Sequence, residues 1–278
     1  MSVVGLLSKL GIIVQRTYFG KIVILSSAII GSAFYKQGNQ RASFNTFIGQ
    51  TFFTGVEAIP HITLLALVVG AITILQAVTV MPKIGGGDAL GGVMVAVVNR
   101  ELGPLITALF IAGRTGSAMS TYIGNMRVMQ EIDALKAMGI NPLHYQIMPS
   151  FFATLLSLFG LTMIFNLVAI FGGYFIVWAM MFVIPGIFTA QLSISLFIEK
   201  IFVAMSLMDF FIGTLKPLIF GGLISVIACY HGMMVNSDIR DVPRATRATV
   251  VRSYVSIIIV DLILAIPIML QLKDKIMI

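Results

Sequence analysis

The uncharged run ITLLALVVGAITILQAVTV, residues 62–80, decides the fold of this chain. A helix needs about 20 apolar residues to cross roughly 30 Å of hydrocarbon, and this run has that length without an ionisable side chain. The whole chain has the same character, because 58% of its 278 residues are hydrophobic, 10% are charged and the mean hydropathy is +1.02. Soluble domains carry about one charged residue in four, so the composition predicts an all-α integral membrane protein.

Four further runs are long enough to span a bilayer. Three of them are residues 150–184, 217–235 and 253–270, the last interrupted only by Asp261. The fourth, residues 104–123, is apolar except for one arginine and is rich in the small residues that let membrane helices approach closely. We therefore expect five transmembrane helices.

Two shorter segments are too short for a span. Residues 22–34 predict an interfacial or re-entrant helix, and residues 186–198 predict a short helix on the outer face. We expect a single membrane domain over residues 1–278, with an N-terminal interfacial region over 1–50 and a transmembrane core over 51–278.

The basic residues predict the orientation, because loops rich in Lys and Arg stay on the cytoplasmic side. Five spans place one set of basic residues on one face: Lys9, Arg16, Lys21, Lys36, Arg41, Arg127, Lys136, Arg240, Arg244, Arg247 and Arg252. The other face receives a smaller set: Lys83, Arg100, Lys200, Lys273 and Lys275. We expect a multi-pass protein of the inner membrane with a cytoplasmic N-terminus and a periplasmic C-terminus.

Three ionisable residues, Arg114, Lys216 and Asp261, fall within or beside the predicted spans. A charge at the centre of a membrane helix costs about 2.5–3.5 kcal/mol, so each needs a partner or water. Each could snorkel to the interface, form an ion pair that fixes helix packing, or act as a functional group in a cavity, and all three are open.

The sequence offers no catalytic constellation. His61, His144 and His231 fall in different segments and Cys229 is the only cysteine, so no metal site is expected. The glycine run at residues 83–88 lacks the Gly-Lys-Ser/Thr ending of a phosphate loop and predicts a flexible outer loop. We expect no cofactor in this chain, and any ATP must be bound by a partner subunit.

The segment MRVMQEIDALKAMGINP, residues 126–142, predicts an amphipathic cytoplasmic helix. Its apolar face is formed by Val128, Ile132, Leu135 and Met138, at spacings of four, three and three. Polar residues occupy the other faces: Gln130, Glu131, Asp133 and Lys136. Gly139 predicts the end of the helix. The pattern alone leaves open whether this helix rests on lipid headgroups or docks into a partner protein.

Two blocks of the sequence resemble the MlaE/YrbE permease family. The first is RELGPLITALFIAGRTGSAMSTYIGNMRVMQEIDALKAMGINPL, residues 100–143; the second runs from Lys216 through FGG at residues 220–222 and ACYHG at 228–232 to PRATRATVV at 243–251. The similarity covers roughly residues 55–270. It implies the permease subunit of an ABC-type transporter that moves phospholipid or a related lipid. The implied partners are a second copy of the chain, a cytoplasmic ATPase and a periplasmic MCE-domain protein.

The resemblance also implies sites on this chain. It places the contact with the ATPase on the helix at residues 126–139: Val128, Gln130, Glu131, Ile132, Asp133, Leu135 and Met138. It places the lipid cavity at the outer end of the first span and the turn RELGP, with the lysine of the second block nearby: Thr73, Gln76, Val80, Met81, Arg100, Glu101, Leu102 and Lys216.

The chain departs from the family pattern at two places. Many relatives carry an acidic residue where this chain has Tyr122, and a Gly-rich stretch where it has NSDIRDV, residues 236–242.

Two alternative functions are a membrane scaffold that transports nothing and an intramembrane lipid-modifying enzyme. The enzyme would require convergent nucleophilic, basic or metal-binding groups within the spans.

Overall fold

The computed structural model of the chain describes residues 31, 40–80, 90–183, 194–236 and 238–276. Every regular element in these ranges is a helix, which confirms the predicted all-α class. In the described residues, five helical stretches are long and apolar enough to cross a membrane, which confirms the predicted number of spans and indicates a multi-pass membrane protein. They are Ser43–Val80, Met94–Val128, Leu143–Met180, Met208–Met233 and Asp241–Ile266.

The described α-helices are numbered here in chain order. They are α1 Gln40–Thr54, α2 Ile59–Val80, α3 Leu90–Val93, α4 Gly103–Ile111, α5 Ser117–Val128, α6 Glu131–Ala137, α7 Met148–Leu167, α8 Gly173–Val183, α9 Ile194–Ala204, α10 Leu207–Met233 and α11 Asp241–Ile276. A 3-10 turn, Val56–Ala58, links α1 to α2. π-helical segments precede or link several of these helices: Met94–Leu102, Ala112–Gly116, Leu143–Ile147 and Val168–Gly172.

The predicted starts of the spans are wrong, because all five begin earlier than the uncharged runs. The second, fourth and fifth spans begin with charged residues that form ion pairs, as Arg100 does with Asp209 and Arg244 with Asp241. The predicted turn at RELGP is also wrong: it lies in a continuous helical stretch where the π-helix Met94–Leu102 runs into α4.

Two other predicted segments are only partly covered by the structure. The interfacial segment at residues 22–34 lies outside the described residues apart from Gly31, and so does the first part of the helix at 186–198. The described helix there is α9, which extends beyond the predicted end. It buries Phe197 and Ile201, and the Phe197 ring stacks on Tyr174 with 4.9 Å between the ring centroids.

The chain divides into two compact units. The first comprises the described residues of 1–52, 111–155 and 221–256, and the second those of 53–110, 156–220 and 257–278. The expectation of a single domain over the whole chain stays a prediction.

Small residues and hydroxyl pairs bring helices together in the first unit. A Cβ added to Gly232 would lie 2.8 Å from Ile123, so only glycine fits that contact. The Thr249 hydroxyl donates to Ser120 at 2.9 Å, which joins α11 to α5. Such contacts hold membrane helices at close distance.

Glycines also bring helices together in the second unit. A Cβ added to Gly70 would lie 2.0 Å from the carbonyl oxygen of Ala169, and one added to Gly173 would lie 2.5 Å from the carbonyl carbon of Gly70. Because neither side has room for a side chain, α2 packs backbone to backbone against α8 and the π-segment before it.

Candidate functional site

The centre of the candidate site is Lys216, a cation buried in the second unit. Its side chain is 2% exposed. Its Nζ lies 2.7 Å from Oε2 of Glu101 and 2.9 Å from Oδ1 of Asp261, and it donates to the carbonyl oxygen of Arg100 at 3.0 Å. The two hydrogen bonds, to Glu101 and to the Arg100 carbonyl, and the ion pair with Asp261 together compensate this buried charge.

A second ion pair joins the same segment to the start of α10. Nε of Arg100 pairs with Oδ1 of Asp209, whose side chain is 1% exposed. The other carboxylate oxygen of Asp209 accepts from the backbone N–H of Ser206 at 2.8 Å, and the Ser206 hydroxyl accepts from Met208 N–H at 3.4 Å. This reciprocal arrangement is a capping box, which begins α10 and fixes the carboxylate that meets Arg100.

A buried amide pair involves Asn99, the residue before Arg100. The Asn166 side-chain nitrogen donates to Oδ1 of Asn99 at 2.8 Å, which joins α7 to the π-helix Met94–Leu102. Gly103 makes room for it, because a Cβ there would lie 2.0 Å from Oδ1 of Asn166. A nine-residue π-helix is unusual, and such segments occur frequently at functional sites.

We call Arg100, Glu101, Asp209, Lys216 and Asp261 the charged cluster. It contains two cations and three carboxylates, and all five belong to the second unit. The Glu101 side chain is 36% exposed, against 17% for Arg100 and 14% for Asp261. Glu101 is therefore the most accessible member of the cluster, and the other charges set the electrostatic field around it.

The structure brings together three of the predicted lipid-binding residues: Arg100, Glu101 and Lys216. Thr73 donates to the carbonyl of Val69 on its own helix at 2.8 Å, and the Gln76 side chain is exposed on α2. The other members are a 49%-exposed Val80, a half-buried Leu102 and Met81, which lies outside the described residues.

Sequence reasoning missed Asp209, Asn99 and Asn166. The signal for Asp209 was its place three residues after Ser206 at the start of an apolar run, which is the spacing of a capping box. The two asparagines gave no signal, since their pairing joins positions 67 residues apart.

The two residues predicted as intramembrane charges belong to different units. Asp261 belongs to the charged cluster, whereas Arg114 belongs to the first unit and lies half-buried in the π-segment Ala112–Gly116. Within the described ranges, no group of three His, Cys, Asp or Glu residues is placed to hold a metal ion.

The predicted helix over residues 126–139 is in fact two helices. The long helix continues through Val128, and the chain then breaks at Gln130, whose φ of 60° is left-handed. α6 follows as a short helix. The predicted apolar face is therefore wrong at its two ends, because Val128 belongs to α5 and Met138 is 66% exposed.

The end of α6 at Gly139 is confirmed. Gly139 has a φ of 74°, its N–H donates to the carbonyl of Lys136, and the Ile140 N–H donates to that of Leu135, each at 2.9 Å. These two bonds form a Schellman motif.

Ion pairs hold α6 to the end of α5. Arg127 Nη1 lies 3.1 Å from Oδ1 of Asp133, and Lys136 Nζ lies 3.3 Å from the same oxygen. The hydrogen bond from Lys136 and the nearby Arg127 guanidinium hold the pKa of the Asp133 carboxyl below its usual value.

The long apolar helices and the paired charges within them define a multi-pass helical membrane protein with an internal polar site. The family model described as "Permease MlaE" matches residues 47–266, and the chain belongs to this family of ABC-transporter permeases. The class of protein is therefore a permease, a transport component.

Curated relatives agree with this assignment. A probable ABC transporter permease protein of Rickettsia bellii is 29% identical over 240 residues, which cover 86% of this chain and 88% of the relative. One of Synechocystis is 30% identical over 85% of this chain and 87% of its own length. The chloroplast protein TRIGALACTOSYLDIACYLGLYCEROL 1 of Arabidopsis thaliana is 31% identical over 76% of this chain and 58% of its own.

Proposed function

We propose that this chain is the permease subunit of an ABC transporter that moves phospholipid or a related lipid between the inner membrane and an MCE-protein conduit. It works as a homodimer, and a separate cytoplasmic ATPase binds and hydrolyses the ATP that drives transport. A scaffold without a substrate and a lipid-modifying enzyme are the alternatives that the experiments below separate from transport.

The observation that carries the proposal is the charged cluster around Lys216. Buried charges in a membrane protein are costly, and they typically mark substrate or ion pathways. Glu101 is the most exposed member, and the apolar side chains of Val80 and Leu102 belong to the same unit. A polar headgroup at Glu101 with acyl chains along the apolar residues suits this chemistry.

The name of the Arabidopsis relative is that of a galactolipid. A diacylglycerol lipid combines a polar headgroup with two acyl chains, which is the kind of molecule that the charged cluster and its apolar neighbours would accommodate. This supports a lipid, rather than a soluble ion or metabolite, as the substrate class.

The contact with the ATPase is assigned to α6. Glu131 and Asp133 are exposed on it, while Ile132 on its inner face is buried. The break at Gln130 and the stop at Gly139 make α6 a compact projection, which suits transmission of movement from a soluble motor. Acidic side chains favour a basic protein surface over anionic headgroups.

The orientation follows from the basic residues. Arg127, Lys136, Arg244, Arg247 and Arg252 all belong to the first unit, and we assign that unit's loops to the cytoplasm. The N-terminus is then cytoplasmic and the C-terminus periplasmic.

The test is reconstitution of the chain with its ATPase in lipid vesicles. We expect ATP hydrolysis to depend on the permease and lipid to be extracted or inserted only when ATP is hydrolysed. Glu101→Gln should reduce lipid movement, whereas a matched Glu199→Gln change at an exposed residue of α9 should not. ATP-independent assembly with no lipid movement by the wild type would support the scaffold instead, and covalently altered lipid in vesicles without ATP, detected by mass spectrometry, would support the enzyme.

A further inference from the structure

The first unit contains a cavity of about 370 Å³ beneath α6. It lies where three candidate spans end or begin, since Arg127, Leu143 and Met233 are all within one residue of those ends. Most of its wall is apolar: Ile123, Met126, Ile132, Leu143, Ile147 and Met233. Its volume falls within the range of about 300–1,000 Å³ that is typical of small-molecule sites.

Two cations, Arg127 and Lys136, form part of the wall. Asp133 accepts a hydrogen bond from each of them, through Nη1 of Arg127 and through the Lys136 ammonium group. The other N–H groups of these two side chains are not bonded to Asp133. One carboxylate balances two cations, so this part of the wall keeps a net positive charge and further N–H donors. Gln146 also lines the cavity, and its side-chain amide has no hydrogen-bond partner among the described residues.

We propose that this cavity binds one anionic membrane lipid, with its phosphate at Arg127, Lys136 and Gln146 and part of an acyl chain against the apolar wall. A free phosphate would leave the apolar wall uncovered, and a neutral lipid would leave the positive charge unmatched. The acidic residues Glu131 and Asp133 are not part of the wall, so the cavity is distinct from the exposed face of α6.

The occupant would contact α6 itself, because Ile132 and Lys136 are both in the wall. The lipid is thus a structural ligand that fixes α6 from its inner side. This inference does not depend on which molecule the permease transports, since all the lining residues belong to the first unit and the charged cluster to the second.

Photocrosslinking with the full-length chain tests the site. The probe is phosphatidylglycerol with a diazirine in its acyl chain, in phosphatidylcholine vesicles, and crosslinks are mapped by mass spectrometry. We expect labelling at Met126, Leu143 or Met233, and roughly tenfold less with the matching phosphatidylcholine probe, because its choline cation cancels the phosphate charge and is repelled by Arg127 and Lys136. Crosslinks at Val80 or Leu102 report the proposed transport site separately.

Three variants complete the test. Arg127→Gln/Lys136→Gln should reduce the labelling by phosphatidylglycerol to the level of phosphatidylcholine, and Met233→Trp should abolish it by filling the cavity. The matched control, Arg244→Gln/Arg247→Gln, removes two exposed cations of the same unit that do not line the cavity and should leave labelling unchanged. Lys136→Gln alone, at a side chain 58% exposed, should give a partial loss without a risk to folding.

Any of three results would overturn the proposal. Equal loss in the control would indicate general attraction of anionic lipid to the surface. Displacement of the probe by inorganic phosphate would indicate a simple anion site. Loss of ATPase binding in Met233→Trp with lipid labelling intact would indicate that the cavity receives a protein side chain.

Discussion

The Nζ atom of Lys216 on α10 lies 2.9 Å from Oδ1 of Asp261 on α11. The two residues are 45 positions apart, and each would be a costly isolated charge in a membrane span. Their contact fixes the rotation of both helices about their axes, and it holds the lysine where Glu101 also reaches it.

The first prediction concerns this ion pair. Lys216→Met leaves two carboxylates without their cation, and loss of one partner of a buried pair costs about 3–5 kcal/mol of unfolding free energy. Lys216→Met/Asp261→Leu removes both charges and should be less destabilised than the single variant. Denaturant unfolding of the purified chain measures both. Arg244→Met, at an 83%-exposed side chain, is the control and should change stability by no more than about 1 kcal/mol. A double variant less stable than Lys216→Met would contradict the ion-pair account.

The second prediction concerns the backbone contact between α2 and the segment 168–183. Gly70→Ala places a Cβ 2.0 Å from the Ala169 carbonyl oxygen, so the helices must separate. We expect a loss of about 1–3 kcal/mol of unfolding free energy, as for other overpacked sites. Gly160→Ala is the matched control, because a Cβ there meets nothing within 4 Å. It should be neutral or slightly stabilising, since alanine favours the helix. Equal effects of the two changes would refute the close-contact argument.

Hydropathy predicted the number of spans because an uncharged run long enough to cross a bilayer is rarely anything other than a transmembrane helix. Lys216 and Asp261 were identified as exceptional by the same reasoning, since a charge in such a run requires a partner. Their pairing with each other was not predictable. Which helix faces which depends on side-chain packing, including the Gly70 and Gly173 contact, and a single sequence does not encode that geometry locally.

Local backbone conformation limited the other predictions. The four-three-three apolar spacing favoured one helix from Val128 to Met138, but Gln130 adopts a left-handed conformation that non-glycine residues seldom take. Gly139, by contrast, was predictable, because glycine is the usual residue at a left-handed helix end. The helix starts were predicted too late because charged residues such as Arg100 were taken as the limits of the spans. The partner of Arg100, Asp209, is distant in sequence, so the ion pair that lets the helix include this charge could not be foreseen.

The third prediction concerns the apolar part of the proposed lipid site. Leu102→Glu introduces a carboxylate at a half-buried position near the charged cluster in sequence. Acyl chains would then face an uncompensated ion, and we expect lipid occupancy to fall roughly a hundredfold. Leu102→Met conserves volume and polarity and should retain occupancy. Crosslinking of a photoactivatable phospholipid to the reconstituted complex provides the measurement. Normal crosslinking and transport in Leu102→Glu would exclude this residue from the lipid path.

The fourth prediction concerns orientation. Single cysteines at Arg247 and Asp274, in a Cys229→Ser background, are to be treated with a membrane-impermeant thiol reagent in intact cells. The buried Cys229 is the chain's only native thiol, so its replacement removes background labelling. We expect labelling at position 274 from outside, and labelling at 247 only after the membrane is opened. The reverse pattern would refute the proposed topology.

The last prediction concerns the contact between α6 and the ATPase. Of the two exposed acids, Asp133 is committed to ion pairs with Arg127 and Lys136, so its reversal would also disturb the helix itself. Glu131 is the cleaner probe. Glu131→Lys should weaken co-purification of the ATPase, by roughly fivefold for about 1 kcal/mol, because a favourable surface charge becomes repulsive. Glu131→Gln should give a smaller loss.

Asp238→Lys is the matched control, because it reverses an exposed acid in the turn before α11 and leaves α6 unchanged. It should preserve ATPase binding. Membrane insertion and self-association should be normal in all three variants, since no change lies in a span. A Glu131→Lys protein that retains the ATPase at the wild-type ratio, and hydrolyses ATP in response to lipid, would show that α6 does not form the coupling contact. If ATPase co-purification falls with Glu131→Gln and falls further with Glu131→Lys, while Asp238→Lys retains it, the charge of Glu131 contributes to the contact between α6 and the ATPase.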